Sequence, residues 1–144
     1  MSLADYQPIR EEVKSRKGGF SVTVRGLSID DFTMLFNKHL NDINKLFDLH
    51  GKALTMDKFS ETMQIATRLV SEAPDVAARV IALACDEPDQ MEKARKLVVP
   101  LQIEVIKKVL QLTFDEAGGI RNFLTGLRQI ASAVIPSLRT DSNT

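Results

Sequence analysis

The sequence predicts a predominantly α protein, a small bundle of five or six helices with one short N-terminal β-strand. Three observations carry that expectation. Apolar residues recur at three- and four-residue steps through most of the chain, helix-start residues such as Ser28, Pro74 and Pro100 precede those runs, and a clear two-residue alternation occurs only in "FSVTVRG".

Residues 1–19 are polar and mixed in charge and read as a solvated lead-in. Residues 20–136 read as a single helical domain, and residues 137–144 as a flexible polar tail. In "FSVTVRG", Phe20, Val22 and Val24 point one way and Ser21, Thr23 and Arg25 the other, which predicts a strand closed by Gly26. Its partner is either the "YQPIREEV" stretch or another subunit. Ser28 with Asp31 three residues on forms a capping box, opening an amphipathic helix through Ile29, Phe32, Leu35, Phe36, Leu40, Ile43, Leu46 and Phe47 to about Gly51. A second helix starts near Asp57, and a third at Pro74. "CDEPDQ" interrupts the third, and "MEKARKLV" adds a turn or two. Pro100 opens "PLQIEVIKKVLQL", whose polar stripe is only Glu104, Lys107, Lys108 and Gln111, so most of its circumference must be covered. The last helix runs from Ile120 to Ile135, before Pro136.

Composition narrows the function. Nineteen Lys and Arg balance nineteen Asp and Glu in 144 residues, so there is no basic excess of the kind that nucleic-acid binding by counterion release requires. No apolar run is long enough to span a bilayer, and no secretory signal opens the chain. A lone cysteine, Cys85, excludes an internal disulfide and fits a reducing cytosol.

No catalytic, metal or cofactor site emerges. The adjacent carboxylates Asp30–Asp31, Asp86–Glu87 and Asp115–Glu116 sit at expected helix starts or turns, where acids favour the helix dipole. Neighbouring helical residues diverge, so such pairs do not flank one bond as glycosidase carboxylates do. His39 and His50 lack intervening ligands at metal-binding spacing and read as packed or exposed. Cys85 reads as a small, half-buried residue with no base beside it. "RKGGF" and "EAGGI" match neither a phosphate loop nor a dinucleotide fingerprint. What stands out is surplus apolar helical surface with Met34, Met56, Met63 and Met91. It fits a well-filled core or a surface for other helices, including self-association.

Two stretches resemble the tail assembly chaperones, or pre-tape-measure proteins, of long-tailed bacteriophages. One is "VTVRGLSIDDFTMLFNKHLNDINKLF", through Arg25, Gly26, Leu27, His39, Leu46 and Phe47. The other is "VVPLQIEVIKKVLQLTFDEAGGIRNFL", through Pro100, Gln102, Leu112, Thr113, Phe114, Gly118 and Gly119. The resemblance implies an all-α, non-enzymatic protein of the host cytoplasm; homo-oligomers are expected on separate grounds, because the apolar area of the last two helices and the unpaired strand both seek partners. By the resemblance, the protein would bind the helical tape-measure protein, keep it soluble, help recruit tail-tube subunits, and leave before the virion is complete. The alternative from another class is a small helical regulatory or nucleic-acid-associated protein of phage or bacterial origin. In the second stretch, Thr113 and Glu116 match a capping box and Gly118–Gly119 would then mark a bend, since two glycines inside a helix cost about 2 kcal/mol relative to alanine.

Overall fold

A computed structural model describes residues 1–50, 58–117 and 129. Among them are five α-helices and a two-stranded antiparallel sheet near the N-terminus. The expected fold class holds, with one addition. The strand β2 (Ser21–Arg25) finds its partner inside the chain, in β1 (Arg10–Lys14). Residues 10–14 therefore belong to the sheet and not to a solvated lead-in, and Val13 is buried in the core. The hairpin is closed by Ser15 N–H donating to Phe20 O at 2.9 Å.

The register Val13↔Val22 and Glu11↔Val24 places these four residues on one face, the face turned to the helices. Glu11 is admitted there because Lys108 meets it at 3.2 Å. The opposite face carries Arg10↔Arg25, Glu12↔Thr23 and Lys14↔Ser21.

α1 (Ile29–His50) starts at the predicted capping box: Ser28 N–H donates to Asp31 Oδ2 at 2.7 Å and Asp31 N–H to Ser28 Oγ at 3.3 Å. It is not one continuous helix. His39 has φ −134° and ψ 35°, and α1 breaks there without proline or glycine. Its imidazole Nε2 accepts a hydrogen bond of 3.3 Å from Arg79 Nε on α3 (Pro74–Ala84), so a tertiary contact holds the break. Apolar spacing continues across the break, which is why the sequence shows none.

α3 is buried nearly all round, with Val76, Val80, Ile81 and Leu83 interleaved with Ala77, Ala78, Ala82 and Ala84. Small side chains let neighbours approach closely. α2 (Lys58–Glu72), α4 (Met91–Arg95) and α5 (Val99–Ala117) surround it, with a turn of 3-10 helix at Pro88–Gln90 before α4. α5 presents Leu101, Val105, Ile106, Val109, Leu110 and Phe114 to the core, and Val105, Ile106 and Val109 are wholly inaccessible. α2, α3 and both strands pack on it, as its narrow polar stripe requires.

One expectation fails on α5. The helix runs to Ala117, so Thr113 is an interior residue and not a cap, and Asp115 and Glu116 stand near its end instead of at a start. Gly118–Gly119, the helix expected from Ile120, Pro136 and the tail lie outside the described residues apart from Gln129.

Candidate functional site

The two stretches that carry the resemblance meet in space. Gly26 lies against α5 so closely that a Cβ there would sit 3.1 Å from Thr113 N and 3.2 Å from Leu112 C. A side chain there would need the backbone of α5 to give way by a few tenths of an ångström. Leu27 N–H donates to Thr113 Oγ1 at 2.9 Å, while the same hydroxyl donates to Val109 O at 2.7 Å. One threonine thus ties the strand exit to the helix, and Phe114 beside it is almost wholly buried.

Arg25 is the polar centre of this junction. Its guanidinium has five N–H groups and makes five hydrogen bonds. Nε donates to Asp86 Oδ1 at 3.0 Å. Nη1 donates to Gly26 O at 2.9 Å and Asp31 Oδ2 at 2.6 Å. Nη2 donates to Asp31 Oδ1 at 3.4 Å and Leu83 O at 3.0 Å. The hydrogen bond to Asp31 is the main reason its pKa lies above the ordinary arginine value; burial opposes the shift and Asp86 adds to it. Arg10 reaches Asp86 at 2.7 Å, so this one carboxylate bridges two arginines facing each other across the sheet. Asp86 is held below the usual carboxylate range, chiefly by Arg25 and then by Arg10, with burial opposing.

Asp86 also has φ 58°, the left-handed position that commonly follows a helix. Asp86 N–H bonds to Leu83 O at 3.0 Å and Glu87 N–H to Ala82 O at 2.9 Å, a Schellman closure of α3. Glycine would fit that backbone more easily, but glycine has no carboxylate to offer the arginines.

The whole span that contains this junction matches a known family. A model of the family described as Pre-tape measure protein matches residues 1–142. The chain belongs to the pre-tape measure protein family. That membership gives it a role in phage tail assembly. No curated protein and no solved structure gives a significant match.

Within this pre-tape measure protein, the other singled-out residues have structural positions. Gln102 is buried, and its amide donates to Ala94 O at 2.9 Å and Arg95 O at 3.1 Å, satisfying carbonyls at the end of α4. The His39 pKa is lowered first by burial and then by Arg79, with Asp75 and Asp42 opposing. Cys85 is half-buried, and burial, followed by Glu87 and Asp86, pushes its thiol up to about 11, far from a reactive thiolate. The carboxylate pairs do not act as pairs. Asp31 faces Arg25 while Asp30 is exposed, and Asp86 is engaged while Glu87 is exposed. Among the described residues no three His, Cys, Asp or Glu side chains converge as metal ligands, and no helix is long and apolar enough to cross a membrane.

A cleft of about 360 Å³ between α2, α5 and β1 is lined by Glu11, Thr62, Lys108, Gln111, Leu112, Phe114 and Asp115, with the Glu11–Lys108 ion pair within it. Exposed large apolar side chains lie elsewhere: Tyr6, Ile9 and Phe20 around the hairpin, Ile29 and Met34 on α1, and Val98 and Val99 before and at the start of α5. The surplus apolar surface read from the sequence therefore divides. The α5 part is core, whereas part of α1 faces out.

Proposed function

We propose that this pre-tape measure protein is a non-enzymatic chaperone that binds the helical tape-measure protein in the host cytoplasm and keeps it soluble. It helps recruit tail-tube subunits and is absent from the finished virion. Family membership over residues 1–142 is the observation that carries this reading. A tape-measure chain presents long apolar helical stripes before the tube encloses it, and modest, repeated contacts along such stripes give reversible protection.

The burial pattern favours α1 as the proposed client surface. On α5 the face from Leu101 to Leu112 is occupied by the protein's own core, whereas Met34 is exposed and Leu40 is half-buried either side of the His39 break. The test is co-expression of a tape-measure fragment with the wild type and with the Met34→Asp/Leu40→Asp double variant. The wild type keeps the fragment soluble; the double variant loses this while its circular dichroism stays helical. Soluble client with the folded double variant, or insoluble client with the wild type, overturns the proposal.

A further inference from the structure

Most arginines among the described residues have a carboxylate of their own. Arg10 and Arg25 meet Asp86, Arg25 also meets Asp31, Arg68 meets Glu72 and Arg95 meets Asp75. Two arginines differ. Arg16 is exposed in the turn between β1 and β2, where water serves it, but Arg79 is half-buried on α3. Its sequence neighbours Ala77, Ala78, Val80 and Ile81 are all buried, so its side chain leaves α3 at the rim of the core. Asp75, one turn earlier on the same helix, is the expected partner, as Glu72 is for Arg68. Yet Asp75 Oδ1 lies 2.6 Å from Arg95 Nη1 of α4.

Arg79 is held but not satisfied. Its Nε–H donates to His39 Nε2 at 3.3 Å, and its Nη groups find no acceptor among the described residues. Asp75 and Asp42 lie close enough for their charges to act on His39, but neither pairs with Arg79. With Nε–H committed to the imidazole, the end-on pair of Nη groups remains as a planar fork for a bidentate acceptor. The imidazole stays neutral, and so an acceptor, near neutral pH, because burial and Arg79 both disfavour its protonated form. A guanidinium oriented in this way loses less freedom on binding than one free in solvent. Leu40, half-buried beside His39 at the break in α1, supplies an apolar neighbour.

We propose that Arg79 is the docking point for a carboxylate of the helical client, an aspartate or glutamate whose apolar neighbour packs on Leu40. The choice of client rests on the reading of α1 as the client surface; the carboxylate chemistry rests on the free fork. One planar fork at a half-buried position suits one planar carboxylate, whereas a phosphate draws on several donors at once. Covering the pair with client excludes water from it, and charge-assisted hydrogen bonds of this kind raise affinity by about tenfold to a hundredfold. His39 is then a positioning residue: the break in α1 places its imidazole against Nε and so aims the rest of the guanidinium.

Titration of a fluorescent tape-measure fragment with the full chain is the first test. Arg79→Gln weakens binding by about tenfold or more, and Arg79→Lys, which keeps the charge without the fork, recovers little of it. His39→Gln retains an acceptor for Nε and binds nearly as the wild type does, whereas His39→Leu weakens binding by less than Arg79→Gln. Replacing the fragment's acidic residues one at a time by their amides finds one whose loss weakens the wild type but not Arg79→Gln, which marks a direct pair and not an altered fold. The second test needs no client: glutarate shifts the Arg79 Nε–Hε resonance in heteronuclear NMR spectra saturably, and leaves that of Arg25 in place. A fragment that binds wild type and Arg79→Gln alike, or that carries no acidic residue coupled to Arg79, overturns the inference and leaves the client reading standing. A fragment that fails to bind the wild type while glutarate still shifts Arg79 overturns the client reading and supports the carboxylate site. An Arg79 resonance indifferent to glutarate, or one that answers more strongly to sulfate, overturns the carboxylate site.

Discussion

Arg25 shows how one side chain can organise residues far apart in sequence. Asp31 and Asp86 each look like ordinary helix-end acids, and only the guanidinium reveals them as two sides of one site. Asp31 is 5% exposed, so removing its cation strands a buried charge. Breaking such a pair from one side typically costs about 3–5 kcal/mol. Arg25→Met should destabilise the fold by about that amount in urea titration. Arg25→Lys should recover only part of it, since an ammonium cannot supply the planar fork that five acceptors require. A loss below about 1 kcal/mol for Arg25→Met would show that the cluster is solvated and contributes as little as a surface ion pair.

Elements were legible in the sequence to the extent that their cause is local. Helical spacing, the Ser28 box and the prolines at 74 and 100 are local, and α1, α3 and α5 begin where these signals stand. β1 was legible only as one of two candidate partners for β2, because "REEVK" carries one inward apolar residue, and Glu11 on the same face is paired by Lys108 from a distant helix. The pattern Thr113-x-x-Glu116 was misleading for the same reason. It matches a cap, yet the hydroxyl serves Leu27, 86 residues away. The break at His39 depends on Arg79, 40 residues on. The proposed client surface was half legible: periodicity marks α1 and α5 as equally apolar, and only packing separates core from exposed face. The strand–helix contact gives a prediction at this scale. In Gly26→Ala, the new methyl would press on backbone atoms of α5 at 3.1–3.2 Å, and backbone inside a packed helix yields poorly. Overpacking of about 1–3 kcal/mol, offset by about 0.4–1 kcal/mol from a stiffer unfolded chain, leaves a net loss of about 1 kcal/mol, measurable as a lower urea midpoint. An unchanged or higher midpoint would mean that α5 shifts freely.

Over the whole molecule, the titrating groups set two separate acid limits. The folded His39 pKa is depressed, so the unfolded chain binds the proton more tightly. The stability this contributes is complete above the unfolded value of 6.5 and is lost as pH falls from there through the folded value. Protonation also removes the acceptor for Arg79 and sets two cations side by side. Asp86 is likewise depressed, and its contribution is complete above the unfolded value of 3.8 and is lost as pH falls through its own folded value. Urea midpoints should therefore fall first in mildly acid buffer and again in strong acid. His39→Gln, which retains an acceptor for Arg79 but does not titrate, should flatten the first fall and leave the second. A variant that keeps the full first fall would remove His39 as its source.

The Leu27–Thr113 hydrogen bond also sets a schedule for synthesis. A ribosome adding about 5–20 residues per second delivers Thr113 some 4–17 s after Leu27. During that interval α1 to α4 are made, but the hairpin lacks the end of α5, against which both strands pack. Nascent chains halted before Thr113 therefore cannot complete the junction, so this domain closes late in its own translation.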